Sequence, residues 1–346
     1  MYHSFITLAV PALFSFVITF AGIKFFSKYM KECYVTAIDH NKPNSPVLPS
    51  GLGIAAVFGF GIGILAYIFG ASFNLYTPIA SQAYLFATIV AVLFISIVGF
   101  IDDINVRTKM IKTTDMMDTR KGLKQWQKPL LTIVGAIPLI AINAGVSAVH
   151  LPFIGMVDFG IFYPLIIVPL AVMFGANAFN LLGGFDGIAT GTGMIAAFGL
   201  LAYSIIYGSY TGSLLLAAFI GTLLPLLLFN LYPAKIIPGD SFTYFAGSTL
   251  IIIMILGNME SFGIIVFMPW IIEFLLHARK KFKSSDLGKL QKDGTMKAPY
   301  GKKIYSWTHI AMNIRPSKEW QVSAFMWCVE LLFIGFGFAL KLLNLL

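Results

Sequence analysis

The sequence predicts an all-α polytopic membrane protein of about ten transmembrane helices, with both termini on the non-cytoplasmic side. Three observations lead there. The 346 residues are 58% hydrophobic and only 11% charged, whereas a soluble domain carries about 25% charged residues. The apolar residues gather in runs close to the roughly 20 residues that cross a bilayer as a helix. The basic residues, finally, fall almost entirely on one side of those runs. Strands of an outer-membrane barrel would be shorter and would alternate, and these runs do neither.

The runs lie at about 5–26, 51–70, 82–101, 129–146, 161–176, 188–207, 211–229, 244–258, 262–278 and 322–344. No Lys or Arg precedes the first, so it reads as a span and not as a cleaved signal. Connections after odd-numbered spans hold 23 of the 24 Lys and Arg residues, with Lys341 the exception near the C-terminus. The positive-inside rule makes those connections cytoplasmic. The chain is then one integral-membrane domain over 1–346, with cytoplasmic connections at about 27–50, 102–128, 177–187, 230–243 and 279–321. A net charge of +9 would suggest a nucleic-acid partner in a soluble protein. Placed as it is here, it sets topology, and no nucleic acid is expected. Cys33 falls on the cytoplasmic side and Cys328 inside the last span, so no disulfide is expected.

Polar residues stand out in order along this apolar chain. After the first span comes Asp39-His-Asn-Lys-Pro43, where Lys42 can meet a phosphate or simply snorkel to the membrane surface. The third span ends at Gly99-Phe-Ile-Asp-Asp-Ile104. Two carboxylates at the already negative end of a helix are badly placed for stability. They suit a site that holds Mg²⁺ or handles a proton, against the plain alternative of a solvated helix end. The basic connection from Arg107 to Lys128 sets topology and attracts anionic lipid, and its last residue sits at the membrane boundary, within reach of a phosphate.

The centre of the chain is Asn177-Ala-Phe-Asn-Leu-Leu-Gly-Gly-Phe-Asp-Gly187, a polar, glycine-rich step between two apolar runs. Glycines let a backbone approach a ligand, and Asn and Asp can hold a cation or a nucleotide. The alternative is a turn that merely reverses the chain. Asp240, in Pro238-Gly-Asp-Ser-Phe-Thr-Tyr-Phe-Ala-Gly247, can be an ordinary N-cap or a site residue. Pro269 should kink the ninth span, whose inner end carries Glu273 and His277 as an interior pair or as site residues. The connection at 279–321 is long enough to fold over a site, and Lys289–Lys297 reads as a hairpin with an Asp-Gly turn. Trp126, Trp270 and Trp320 read as an aromatic belt, and Glu330 as an interhelical hydrogen bond.

By parity, Asp102 and Asp103, Lys128, the central turn, Asp240 and the long connection share the cytoplasmic face. Carboxylates, an Asn pair, a membrane-edge lysine and glycine turns on one face suggest Mg²⁺-dependent chemistry on a phosphorylated, partly lipidic substrate. Here the chain resembles the polyprenyl-phosphate N-acetylhexosamine-1-phosphate transferases. The motifs are Gly99–Asp103, Gly122–Lys128, Asn177–Gly187 and Gly239–Gly247, and the likeness runs over about residues 39–310. Asp39–Lys42 and Gly239–Gly247 are most similar to the subgroup acting on UDP-N-acetylglucosamine and dolichyl phosphate.

The resemblance implies ten spans and transfer of GlcNAc-1-phosphate from UDP-GlcNAc to a polyprenyl, dolichyl-type phosphate. UMP is released, and the product starts a lipid-linked oligosaccharide for N-glycosylation. It implies Mg²⁺, with Mn²⁺ as a substitute, held by Asn180 and Asp240, and catalytic roles for Asp102, Asp103 and Lys128. It places Asn177, Gly184 and Asp186 around the nucleotide, and Lys42, His277 and Arg279 among the substrate contacts. Membrane lipids surround the protein, and a homodimer is an admissible assembly. The short loops suit a prokaryotic, archaeal plasma membrane with the active site facing the cytoplasm.

Two departures stand out. Ile237 occupies the place of a common aromatic residue three before the metal-binding Asp, and no compact Arg/His cluster follows the ninth span in His277–Gly288. The alternatives are the same phosphotransfer with another UDP-N-acetylhexosamine or the muramoyl-pentapeptide donor, for cell-envelope glycan, and, from a different class, a membrane transporter. Against a transporter, the polar motifs cluster at one face and not at the midplane.

Overall fold

The computed structural model describes residues 2–104 and 123–346. The basic stretch from Arg107 to Lys121, and Gly122 at the head of its motif, lie outside the described residues. In chain order, α1 (Tyr2–Glu32) leads into the antiparallel strands β1 (Thr36–Ile38) and β2 (Val47–Pro49). Then follow α2 (Gly53–Ser72) and α3 (Gln82–Ile104). Past the undescribed stretch, α4 (Gln127–Thr132) passes through a 3-10 turn into α5 (Ile137–Ala141). A second small hairpin, β3 (Ala148–Leu151) with β4 (Gly155–Asp158), precedes a π-helical turn that opens α6 (Val168–Phe179). The remaining long elements are α7 (Ile188–Tyr207), α8 (Tyr210–Asn230) and α9 (Asp240–Leu256), then α10 (Glu260–Val266) and α11 (Met268–Ala278). The chain closes with β5 (Lys289–Leu290), β6 (Met296–Lys297), α12 (Trp307–Ile314) and α13 (Glu319–Leu342).

Six of these helices, α1, α2, α3, α7, α8 and α13, are long and apolar enough to cross a membrane. The pair α10–α11, bent by 55°, makes up to seven. The bend falls just before Pro269, whose ring cannot continue a straight helix. At the other three expected positions stand shorter apolar helices, at 127–141, 163–179 and 240–256. The first two carry Pro129, Pro138, Pro164 and Pro169, which explains their 3-10 and π-helical turns.

Nearly every residue of α9 is buried, and two glycines let neighbours press on its first turn. A Cβ on Gly53 of α2 would lie 2.1 Å from the Phe242 nitrogen, and one on Gly99 of α3 would lie 2.5 Å from the Asp240 carbonyl oxygen. Small residues at such crossings permit backbone contact between membrane helices.

Some local expectations hold and others are corrected. β5 and β6 pair antiparallel, Lys289 with Lys297, and Gly294 takes the positive φ of +78° that the Asp-Gly turn needs. Cys33 and Cys328 are free thiols. Trp270 does not belong to a belt: it is fully buried and stacks on Phe179 at 4.9 Å between ring centres. Trp126 and Trp320 are exposed, as belt residues are. Glu330 is fully buried, yet neither of its carboxylate oxygens has a hydrogen-bond partner among the described residues, so the expected interhelical bond is not seen there.

Candidate active site

The first turn of α9 organises the site. Gly239 precedes it with φ +82°, a backbone that favours glycine. Asp240 is therefore the first helical residue and not the N-cap. The capping group comes from another helix: Asp103, at the end of α3, accepts the Asp240 N–H at 2.8 Å and the Ser241 N–H at 2.9 Å. A helix start leaves such N–H groups without partners, and a carboxylate there also meets the positive end of the helix dipole. A Cβ on Gly239 would lie 2.6 Å from that carboxylate, a second reason for glycine.

The neighbouring carboxylate points elsewhere. Asp102 lies 2.7 Å from the Lys128 ammonium and accepts the Leu123 N–H at 2.6 Å. Lys128 in turn lies 2.9 Å from Asp240. Asn180, just past the end of α6, donates to Asp240 at 3.4 Å, and its amide oxygen accepts the Thr243 hydroxyl at 2.7 Å. Asp102, Lys128, Asp240 and Asn180 thus form one connected row, with α3, α4, α6 and α9 each bringing a member. The adjacent pair in the sequence has divided its work: Asp103 holds a helix, and Asp102 holds a lysine.

Two members of this row, Asp240 and Asn180, reach a cleft of about 260 Å³. Asn180, Gly184, Asp186 and Asp240 line it, together with Asp39 and Asn41 from the first connection, Ile237, and Asp286 from the last. Asp286 accepts the Gly184 N–H at 2.8 Å and the Gly183 N–H at 3.3 Å. Any side chain at Gly184 would collide with it and with Leu287. Beside the cleft, the Lys42 ammonium bonds Asp39 and lies 2.5 Å from Asp186 and 3.4 Å from Glu319. Burial alone would lower the Lys42 pKa, but bonds to Asp186 and Asp39 and the charge of Glu319 outweigh it and hold Lys42 above its ordinary value. Burial pushes Asp186 up, and its bonds from Lys42 and from the Ala234 N–H offset only part of that.

Three expected site residues lie apart from the cleft. Asn177 faces α4 and donates to the Thr132 hydroxyl at 3.0 Å and to the Met173 carbonyl at 2.8 Å. His277 is buried between Glu273 at 3.0 Å and the Ser284 hydroxyl at 3.2 Å, the interior pair that its spacing allowed. Arg279 turns to the Ile304 carbonyl at 3.3 Å and over the Tyr305 ring. These last two hold the long connection against α11, and Asp286 and Leu287 bring that connection to the cleft. Thr243, Asp286 and Glu319 were not legible as site residues, because their partners are 63, 102 and 133 positions away in the chain.

Among the described residues, two groups of oxygen ligands could hold a metal. Asp39, Asp186 and Glu319 place carboxylate oxygens within 4.8 Å of one another, but Lys42 already sits among them with a positive charge. Asn180 and Asp240 form the second group, with the Lys128 ammonium likewise 2.9 Å from Asp240. They offer an amide and a carboxylate oxygen, and the Thr243 hydroxyl can accept as well as donate, so the Asn180 amide is free to turn its oxygen inward.

The family model for glycosyl transferase family 4 matches residues 85–258, which run from the first turn of α3 through α9 and contain the whole Asp102–Lys128–Asp240–Asn180 row. A Saccharolobus solfataricus protein, provisionally named UDP-N-acetylglucosamine–dolichyl-phosphate N-acetylglucosaminephosphotransferase, is 33% identical over 95% of both chains. A Dictyostelium discoideum protein carrying the same name without that qualifier is 24% identical over 77% of this chain and 70% of its own. The phospho-N-acetylmuramoyl-pentapeptide-transferase of Halalkalibacterium halodurans is 29% identical over 94% of this chain and 95% of its own.

Proposed function

The chain belongs to glycosyl transferase family 4, and from that premise we propose that it transfers GlcNAc-1-phosphate from UDP-GlcNAc to a polyprenyl, dolichyl-type phosphate. A phosphate oxygen of the lipid attacks the sugar-linked phosphorus of the donor. The bond between the two donor phosphates breaks, and UMP leaves. Lipid-linked GlcNAc diphosphate is the product. The names of the archaeal and Dictyostelium relatives support this donor and acceptor over the muramoyl-pentapeptide pair.

One observation carries the reading: the row Asp102–Lys128–Asp240–Asn180, whose last two members line the cleft. Two carboxylates and one ammonium leave that row with a net negative charge, so it would repel a diphosphate. A divalent cation at Asn180 and Asp240, which we take to be Mg²⁺, would reverse the sign and offset charge developing on the departing phosphate. Lys128 supplies the fixed positive charge for the phosphates, and Asp102 orients it. Asp103 fixes the start of α9 and with it Asp240. No protein base is required, since a phosphate monoester is largely ionised at neutral pH (second pKa about 6). Asp186 and Asn41, also in the cleft lining, face the nucleotide, with Lys42 beside them. Ile237 offers the base an aliphatic wall.

We further read the three shorter apolar helices as spans, giving ten in all, with both termini outside and the cleft open to the cytoplasm. The partition of the basic residues supports this. The apolar hollow of about 220 Å³ between α6, α9 and the bent α10–α11 pair suits an aliphatic lipid tail.

The test is a reconstituted assay with purified protein, Mg²⁺, polyprenyl phosphate and a panel of UDP-N-acetylhexosamines, scoring UMP and lipid diphosphate. UDP-GlcNAc should give both, and EDTA should stop both. Absence of UMP release with every donor in the panel would sink the proposal.

A further inference from the structure

The last helix grips the central turn along one face. Glu319, Ser323 and Trp327 follow each other at four-residue spacing in α13, so they lie in one row. Ser323 donates its hydroxyl to the Asp186 carbonyl at 2.7 Å, and Trp327 donates its indole N–H to the Gly187 carbonyl at 3.1 Å. Glu319 completes the row by accepting the Asp186 N–H at 3.0 Å. The backbone of Asp186 is thereby held on both sides by a helix that begins more than 130 residues later.

Glu319 does more than its two companions. The same oxygen that takes the Asp186 N–H also accepts the side-chain amide of Asn41 at 3.2 Å, and its second oxygen lies 3.4 Å from Lys42. Asn41 spends its other contact on the Gly184 carbonyl at 2.7 Å. One buried carboxylate, 3% exposed, therefore joins the first connection, the central turn and the last helix. It does not line the cleft, whereas Asn41, Gly184 and Asp186 do.

We propose that Glu319 is a positioning residue for the donor nucleotide: it sets Asn41, Lys42 and Asp186 at the spacing that reads the nucleotide, without touching it. The proposal rests on the uridine-nucleotide reading above. Glu319 bonds Asn41 and Asp186 and faces Lys42, whereas Lys128 pairs with Asp102 and Asp240, so donor binding should suffer and the transfer step should not. Because one oxygen takes both hydrogen bonds, an amide at this position can keep the bonds to Asn41 and Asp186 while losing the charge that faces Lys42.

The experiment uses the full-length protein in detergent, with UMP as the titrated probe and steady-state kinetics alongside. For Glu319→Ala, UMP binding and donor KM should each weaken at least tenfold, with kcat within threefold of the parent and the KM for lipid phosphate unchanged. Glu319→Gln should recover UMP binding to within threefold of the parent. Should the alanine variant fail to fold, Glu319→Asp takes its place. Its carboxylate is one methylene short of Asn41 and the Asp186 N–H, and the same donor-side loss is expected. A merely structural role would lower kcat and thermal stability together and leave donor KM alone. A parent that binds UMP, with alanine or aspartate variants that bind it equally well, overturns the inference and leaves the donor reading standing. A parent that binds no uridine nucleotide removes both.

Discussion

At the scale of single residues, the adjacent carboxylates Asp102 and Asp103 show how little a motif says about who does what. Asp102 reaches Lys128, and Asp103 caps α9. The row they serve makes two predictions. Asp240→Asn and Asn180→Ala should each lose at least about a hundredfold in transfer rate. A metal ligand should be worth far more than the roughly 1 kcal/mol of a lost helix cap. UMP release at saturating Mg²⁺ measures it, and near-parent turnover in Asp240→Asn would remove that residue from the metal site. Lys128 gives the second prediction, with Lys124 as its comparison. Lys124 is exposed in the same basic connection, while Lys128 is held between two carboxylates. Attraction to the membrane surface would make the two equivalent, at about 1 kcal/mol each. A lysine aimed at substrate phosphate in a partly dehydrated site should matter more. Lys128→Gln should lose at least about 2.7 kcal/mol of transition-state stabilisation, a hundredfold in rate. Lys124→Gln should stay within a few-fold. Equal small losses would make Lys128 a topological anchor.

At the scale of elements, the start of α9 decides whether the site exists. The helix cannot cap itself, because Gly239 has no side chain to offer, and the carboxylate of α3 does it instead. Asp103→Ala should therefore destabilise the protein by about 1–3 kcal/mol, the cost of leaving buried N–H groups unpaired. Asp103→Asn, which keeps an acceptor oxygen, should recover part of that. Thermal unfolding in detergent measures both variants. If Asp103 were instead a general base, both would abolish transfer with an unchanged unfolding temperature, and that result would refute the capping role. Gly99 and Gly53 belong to the same junction: each permits a backbone approach to α9 that a methyl group would block.

At the scale of the whole molecule, four separate connections converge on one cleft: the first, the central turn, the one before α9, and the last, through Asp286. Convergence of this kind requires that they share a side of the membrane. In a background of Cys33→Ser and Cys328→Ser, a cysteine at Lys292 in the β5–β6 turn should react only with reagent on the cytoplasmic side. A cysteine at Tyr210, the first residue of α8, should react only from outside. Impermeant maleimide applied to intact cells and to inverted vesicles reads the two. Labelling of the Lys292 position from outside would invert the topology and with it the side on which the donor must be supplied.

Sequence alone determined the helical membrane class, because runs of apolar residues and segregated Lys and Arg are written locally and need no partner to be read. It likewise marked Asp102, Lys128, Asn180 and Asp240, since charged and amide groups at the ends of apolar runs are costly unless used. The hairpin at Lys289–Lys297 was legible for a similar reason: its turn chemistry is contained in adjacent residues. Tertiary structure decided the rest. Whether Asp240 capped its own helix depended on Asp103, 137 positions earlier. Whether His277 met substrate or Glu273 depended on how the last connection folded over α11. Trp270 could be assigned to a belt or a core only once Phe179 lay against it. Hydropathy and charge act over a turn or a span, whereas a hydrogen bond joins whatever two groups the packing of the helices brings within about 3 Å. The roles of Glu319 and Asp286 are of that second kind, and no local pattern announces them.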